Sequence, residues 1–375
     1  MRRSQQHAKH NVKTLAANVA RLSQLLTRQR ENFPLAYLKD VSLREAYVSY
    51  YLPTNIQKIH IPLHELSLHP DGLLSRGKLR ILDLGCGPGT AVLGTMEFFS
   101  KINSTPRLEF IAVDQVVENL KVGDALFSAQ RNTTKLQASL KTIHSDIEDA
   151  AKLLEGRFDI IIFSNVLNEL FSQHEERISK RTNFLQSVLS RLLSDEGSCI
   201  LIEPALRATS RELLHVRDEL LAKGFHVYSP CFLKRKCPAL RNSKDWCHED
   251  CAWESSQLVQ EIDKLAGLRR HSLKFSYLVL RKDSRSFRDA FGGNAFRVVS
   301  EPLVSKGKVE FYMCGPSDRR LITRFDKDGT SANKAFELLQ RGNIASFERL
   351  IEEGKRCKVG KETYVYQLSD GIANV

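Results

Sequence analysis

The sequence lacks any long apolar run. Nothing in its 375 residues approaches the roughly 20 consecutive apolar positions of a membrane-crossing helix, so no membrane partner is expected. Internal repeats and low-complexity tracts are also absent, which excludes a solenoid or a collagen-like chain. The opening has no short apolar core of the secretory kind, and no acidic residue precedes Glu31. Its Arg, Ser and Gln content matches an organellar transit segment. However, Val12, Leu15, Val19, Leu22 and Leu26 recur at helical spacing. That spacing predicts a retained amphipathic helix and a protein of the reducing cytosol, or of the mitochondrion if the cell is eukaryotic.

Charge is present but uneven. The net charge of +12 lies at the ends: residues 1–60 carry +7, residues 281–375 carry +5, and the middle is neutral. A neutral core with basic ends suits a protein held against a polyanion, RNA above all.

The most informative stretch is Ile81-Leu82-Asp83-Leu84-Gly85-Cys86-Gly87-Pro88-Gly89-Thr90. An apolar run reads as a buried strand, breaks into three alternate glycines, and continues as a helical pattern. Glycine lets the backbone adopt left-handed conformations and approach a ligand with no Cβ between them, and the following helix offers free N–H groups. The G-x-G-x-G spacing differs from the dinucleotide G-x-G-x-x-G. With Asp83 two residues upstream, it resembles motif I of class I S-adenosylmethionine (SAM) methyltransferases. The resemblance implies that the loop of Gly85, Gly87 and Gly89 passes under the amino-acid end of SAM while Asp83 helps to hold its charged end.

Strand patterns at 79–84, 108–113, 141–144, 158–163, 198–202, 225–228 and 274–280, with helices between most of them, predict an α/β fold. This is a seven-stranded doubly wound sheet of the class I SAM-methyltransferase kind, with an N-terminal helical region and a small C-terminal β unit. The expected segments are helical over 1–75, with Pro53, Pro62 and Pro70 as breakers, then SAM-methyltransferase-like over 76–282. Residues 283–375 form the β unit with a helical tail, 332–340 and 344–353. Ligands of such sheets bind beyond the carboxyl ends of the strands. Asp114 is therefore expected on the ribose hydroxyls, Asp146 near the adenine amino group, and Asn165 after the fourth strand.

Catalytic residues are not identifiable. The polar-Pro-Pro-aromatic motif of base-amine methylation is missing, its place holding Ser164-Asn165-Val166-Leu167. The Cys-Pro pairs lie after the sixth strand, on the wrong loop for cytosine C5 chemistry.

The link between the sixth and seventh strands, 231–272, carries Cys231, Cys237, Cys247 and Cys251, with five, nine and three residues between them. Four cysteines so close together in a reducing compartment point to metal rather than disulfides. The spacing fits a zinc ribbon poorly and leaves room for a [4Fe–4S] cluster. Lys234, Arg235 and Lys236 are expected to offset the thiolate charge. Cys86, Cys199 and Cys357 are read as incidental, the last in a basic tail.

Together these features resemble a family, the methyltransferase-like assembly factors of the mitochondrial small ribosomal subunit and their bacterial relatives. The matching residues are Arg44-Glu45-Ala46-Tyr47, Leu52-Pro53-Thr54-Asn55, the glycine loop, Asn165-Val166-Leu167-Asn168-Glu169-Leu170 and Glu203-Pro204. Further on they include Ser229-Pro230-Cys231, Cys237-Pro238, Asp245-Trp246-Cys247-His248, Leu273-Lys274-Phe275-Ser276-Tyr277, and Tyr312-Met313-Cys314 with Arg320. The resemblance spans about residues 40–330. It implies a SAM-binding, [4Fe–4S]-carrying monomer acting on the small ribosomal subunit or its rRNA. That monomer is either a methyltransferase or a non-catalytic RNA-binding factor that uses SAM and the cluster structurally. The ligands it implies are Cys231, Cys237, Cys247 and Cys314, whereas spacing alone favours Cys251 as the fourth.

Overall fold

The computed structural model describes residues 2–28, 36–102, 106–354 and 356–369, with backbone alone for 2–10. Residues 1, 29–35, 103–105, 355 and 370–375 lie outside the described residues. The elements in chain order begin with helices α1 (Arg2–Thr27), α2 (Val41–Ala46), α3 (Leu52–Ile56) and α4 (His60–Ser67). There follow β1 (Lys78–Leu84), α5 (Thr90–Lys101), β2 (Arg107–Asp114), α6 (Val117–Thr133), β3 (Ala138–His144) and α7 (Ile147–Leu153). Then come β4 (Phe158–Ser164), α8 (Arg177–Leu192), β5 (Leu193–Pro204), α9 (Arg207–Ala222), β6 (His226–Ser229), β7 (Glu249–Ala252), α10 (Gln257–Ala266) and β8 (Ser272–Arg281). The last part is all strand and 3₁₀ turn: β9 (Ala295–Val298), β10 (Leu303–Ser305), β11 (Lys308–Cys314), β12 (Arg319–Phe325), β13 (Ile344–Glu348), β14 (Ile351–Glu353), β15 (Arg356–Val359) and β16 (Tyr364–Ser369).

The chain divides into two compact units. One takes Met1–Leu63, Ser75–Ile202 and Ala252–Leu273, the other His64–Leu74, Glu203–Cys251 and Lys274–Val375.

In the first unit β1 to β5 are parallel, in the order β3-β2-β1-β4-β5. Leu79, Ile81, Leu82 and Leu84 of β1 are all buried, as expected of a parallel strand covered on both faces. The register sets Leu84 beside Val113 and Asp114 beside His144, so the carboxyl ends of the strands share one edge. The stripe read in α1 is real: Ala16, Val19 and Leu22 pack against Val259 and Ile262 of α10. Two expected breakers do not break helices. Pro53 and Pro62 lie inside one continuous helical run, each just after a change of helix type: Pro53 follows the π turn Tyr47–Tyr51 and Pro62 the 3₁₀ turn Gln57–Ile59.

In the second unit β6 is antiparallel to β8, and β7 also pairs with β8. A separate sheet runs β14-β15-β12-β11-β9-β13-β16, with β10 on β11. Its core is Val298, Phe311, Met313, Ile322, Phe336, Phe347 and Val359. The expected helix at 344–353 is corrected here, because those residues form β13 and β14. Cys357, read as a tail residue, is buried in the same core. Arg297 of β9, an inner strand of this sheet, is buried between Glu65 (2.5 Å) and Glu249 (3.1 Å), and Tyr277 donates to Glu65 at 2.7 Å. Two carboxylates around one guanidinium leave a surplus negative charge. Burial raises the Glu249 carboxyl accordingly, against the pull of Arg297.

Candidate functional site

Two groups of chemically capable side chains stand out, one in each unit. In the first, the chain leaves β1 through Gly85, Gly87 and Gly89, with φ of 76°, 53° and 83°, all left-handed. The glycines serve different ends. A Cβ on Gly85 would meet Val166 Cγ2 at 2.4 Å, whereas one on Gly87 would have nothing within 4 Å. Gly85 is required for packing and Gly87 faces open space.

Asp83, at the end of β1, is fully buried, and neither carboxylate oxygen has a hydrogen-bond partner. Burial, reinforced by the charge of Asp114, pushes its carboxyl up to about 8. A carboxylate so isolated is costly unless a donor or cation arrives. Asp114 is already engaged: Oδ2 accepts from Gly87 N at 2.8 Å, and Oδ1 accepts from Val116 N at 2.9 Å and Asn119 Nδ2 at 3.2 Å. Burial raises its carboxyl and these donors oppose the rise. It therefore braces the glycine loop, with lone pairs to spare for a diol.

Asp146 is exposed and caps α7, accepting from Glu148 N at 2.8 Å. Asn165 adopts φ of 59° where β4 ends, its N–H donating to Ile202 O at 2.7 Å. Such a conformation in a residue other than glycine is uncommon and concentrates at functional sites.

Several neighbours of the loop were not assigned a role from sequence. Tyr47 Oη lies 3.4 Å from Thr90 Oγ1, the first residue after Gly89. Burial raises its phenol, and Glu169 and Asp114 add to the rise while hydrogen bonds from Thr90 and Asn55 counter it. Tyr37 is raised by burial and by Glu169, Tyr47 and Asp114. Tyr47 and Glu169 occur in strings quoted above, but nothing in their spacing ties them to residue 90.

In the second unit Cys231, Cys237, Cys247 and Cys314 act electrostatically on one another. Burial raises the Cys247 thiol, and so do Cys231, Cys237 and Cys314. Burial raises Cys314, then Cys231 and Cys237, and burial with Cys231 pushes Cys237 up to about 11. Cys251 is buried in β7.

The expected role of Lys234, Arg235 and Lys236 is corrected. All three are exposed, and Arg235 pairs with Asp318 at 3.1 Å. The cations that act on the thiols are Arg217 and Arg319. Arg217, fully buried in α9, donates to Leu233 O at 2.6 Å and Arg235 O at 2.9 Å. Its neighbour Asp218 accepts from Cys237 N at 3.0 Å, and Arg211, two turns earlier, holds Asn242 O and Asp245 O, each at 2.7 Å. Helix α9 thus holds the Leu233–Asp245 part of the cysteine loop through its backbone, and Arg319, beside Cys314, pairs with Asp245.

Among the described residues no three Cys, His, Asp or Glu side chains stand close enough to hold one metal ion. Tetrahedral zinc draws its sulfurs onto a single centre at about 2.3 Å each. A [4Fe–4S] cubane instead spreads four thiolates over four irons. No helix among the described residues is long and apolar enough to cross a membrane.

A comparison with curated protein sequences gives no match. Among solved structures the chain is similar to the 16S rRNA methylase ArmA, at 11% identity over 69% of this chain and 96% of that one, with a TM-score of 0.34. It is also similar to MnmC2 of Aquifex aeolicus, at 15% identity over 64% and 61%, with a TM-score of 0.31. TYW2 of P. horikoshii, solved with MeSAdo, gives 11% identity over 62% and 64%, with a TM-score of 0.32. Superpositions at this level carry no weight for activity or substrate. The family model described as mitochondrial small ribosomal subunit Rsm22 matches residues 42–342, a span that takes in both the glycine loop and all four interacting cysteines, and the chain belongs to that family.

Proposed function

We propose that the protein binds SAM at the glycine loop, carries a [4Fe–4S] cluster on Cys231, Cys237, Cys247 and Cys314, and acts on the small ribosomal subunit or its rRNA in assembly or translation. In a eukaryotic cell it would do so inside the mitochondrion. The observation that carries the cofactor reading is Asp83, a buried carboxylate without a partner at the end of a strand whose following loop keeps open space at Gly87. A sulfonium or ammonium group supplies the missing charge. Asp114 holds the loop through Gly87 N and keeps capacity for ribose hydroxyls. The cluster reading is supported by the electrostatic action of Cys231, Cys237 and Cys314 on the Cys247 thiol, and the choice of Cys314 as fourth ligand follows the family resemblance. When bound, the cluster would tie the loop to β11, while Arg217 and Arg319 temper its negative charge.

Methyl transfer to RNA is the proposed activity. A second reading, a non-catalytic RNA-binding factor of the same fold, is favoured by Ser164-Asn165-Val166-Leu167 standing where base-amine methyltransferases keep their motif.

The experiment is anaerobic purification with iron analysis, followed by incubation with methyl-labelled SAM and small-subunit particles. About four irons per chain and label on RNA are expected. SAM binding without label leaves the RNA-binding reading, and a colourless protein with one zinc removes the cluster.

A further inference from the structure

Resting on the reading that the glycine loop takes SAM, we propose that Tyr47 is a specificity-determining contact for the carboxylate of the cofactor's amino-acid end. Tyr47 opens a π-helical turn, Tyr47–Tyr51, between α2 and α3. Such turns are rare and recur at functional sites, because the extra residue re-aims a side chain. Here the turn brings the Tyr47 hydroxyl 3.4 Å from Thr90 Oγ1, at the N-terminus of α5. Hydroxyl–hydroxyl hydrogen bonds are usually near 2.7–2.8 Å, so the contact with Thr90 is long, and with the Asn55 side chain as its other partner the phenol would exchange the Thr90 contact for a carboxylate acceptor.

The ring is held by a ladder that ends well away from the loop. Tyr51 stacks on Tyr47 at 5.9 Å and 21°, and Tyr50 meets Tyr51 edge-on at 5.2 Å. Arg270 then lies over Tyr50 and Tyr51 at 4.9 and 4.8 Å and donates to Tyr50 Oη at 3.0 Å. Tyr50 in turn donates to Asp263. A contact residue braced in this way loses little side-chain entropy when its ligand arrives.

The chemistry divides in two. The amino-acid end of SAM carries an ammonium and a carboxylate. The acid, Asp83 with both oxygens unpartnered, suits the cationic groups. The carboxylate needs donors, and the donors are the Tyr47 and Thr90 hydroxyls with the free N–H groups of α5.

The test is calorimetric binding of SAM, S-adenosylhomocysteine and 5′-methylthioadenosine, which lacks the amino-acid end, to the full chain and to Tyr47→Phe. The variant keeps the ring and its stacking. Expected is a loss of about tenfold for SAM and S-adenosylhomocysteine, with methylthioadenosine unchanged. Unchanged binding of all three by the variant overturns the contact. So does an equal loss for all three, which marks a merely structural role. Failure of the unmodified chain to bind any of them overturns the cofactor reading and the contact with it.

Discussion

SAM binding should be steeply linked to pH through Asp83. In the free protein its carboxyl is pushed up to about 8 by burial and by Asp114, so at pH 6 only about 1% of molecules carry the ionised form and at pH 8 about half do. The cationic end of SAM favours the ionised form, and binding therefore expels a proton. Affinity should rise about fiftyfold from pH 6 to pH 8 and then level off. Calorimetry in two buffers of different ionisation enthalpy should report about one proton released near pH 6.5. Asp83→Asn should bind more weakly at pH 8 with a nearly flat profile, and any slope it keeps belongs to the cofactor's own amino group.

The same residue makes a stability prediction of determined sign. Its folded pKa lies above the unfolded value of about 3.9, so the folded state holds the extra proton between those limits. The associated stability is full below about pH 4 and is lost as pH rises through 8, a loss of order 5 kcal/mol. Asp83→Asn should melt well above the unmodified protein at pH 8.5, with the gap closing toward pH 4. A flat SAM affinity, or a steep rise that persists in the variant, refutes the assignment of Asp83.

Arg217→Ala should destabilise the second unit by about 3–5 kcal/mol, because it leaves the Leu233 and Arg235 carbonyls and Asp218 without their buried partner. Denaturant unfolding measures this, and iron content should fall with it. Replacing Lys234, Lys236 and Lys244, exposed on the cysteine loop, by Ser should lower the salt slope of rRNA binding by about 0.7–0.9 for each phosphate that is no longer neutralised. Unfolding curves should be unchanged, and an unaltered slope would place the RNA on another face.

The fold was legible where the covalent pattern repeats the physical one. Strands β1, β2 and β4 are apolar runs because both of their faces are covered, and the run survives in any one-dimensional view. The start of β5 was not legible. Ser194-Asp195-Glu196 reads as a turn, yet these residues continue the strand through a register shift opposite Phe158 and Ile160. Residues 344–353 misled for a related reason. Ile344, Phe347 and Ile351 recur at spacings of three and four, but Arg349 adopts φ of 56° and turns the chain between two strands.

The cysteine loop separates what adjacency in sequence can and cannot reveal. The sequence offers the thiols as candidate donors, since four of them within a short link have few other uses. Charge compensation was not legible, because residues next to a thiol in sequence need not face it. Arg217 draws the carbonyls of Leu233 and Arg235 inward, and the backbone between them therefore turns Lys234, Arg235 and Lys236 to solvent. The compensating cation has to come from an element that packs beneath the loop, and its sequence position, fourteen residues before Cys231, carries no mark of that role. The same reasoning bears on the fourth ligand. Cys314, the proposed fourth ligand, lies on the β11–β12 hairpin, which is pinned to the loop by Arg235 and Arg241 on Asp318 and by Arg319 on Asp245. Those pairs prepay the ordering of a distant thiol. Asp318→Ala should thus loosen the proposed cluster without touching a ligand, and iron loss on mild chelation should be faster than in the unmodified protein. Equal rates would mean that the hairpin is held by the cluster alone.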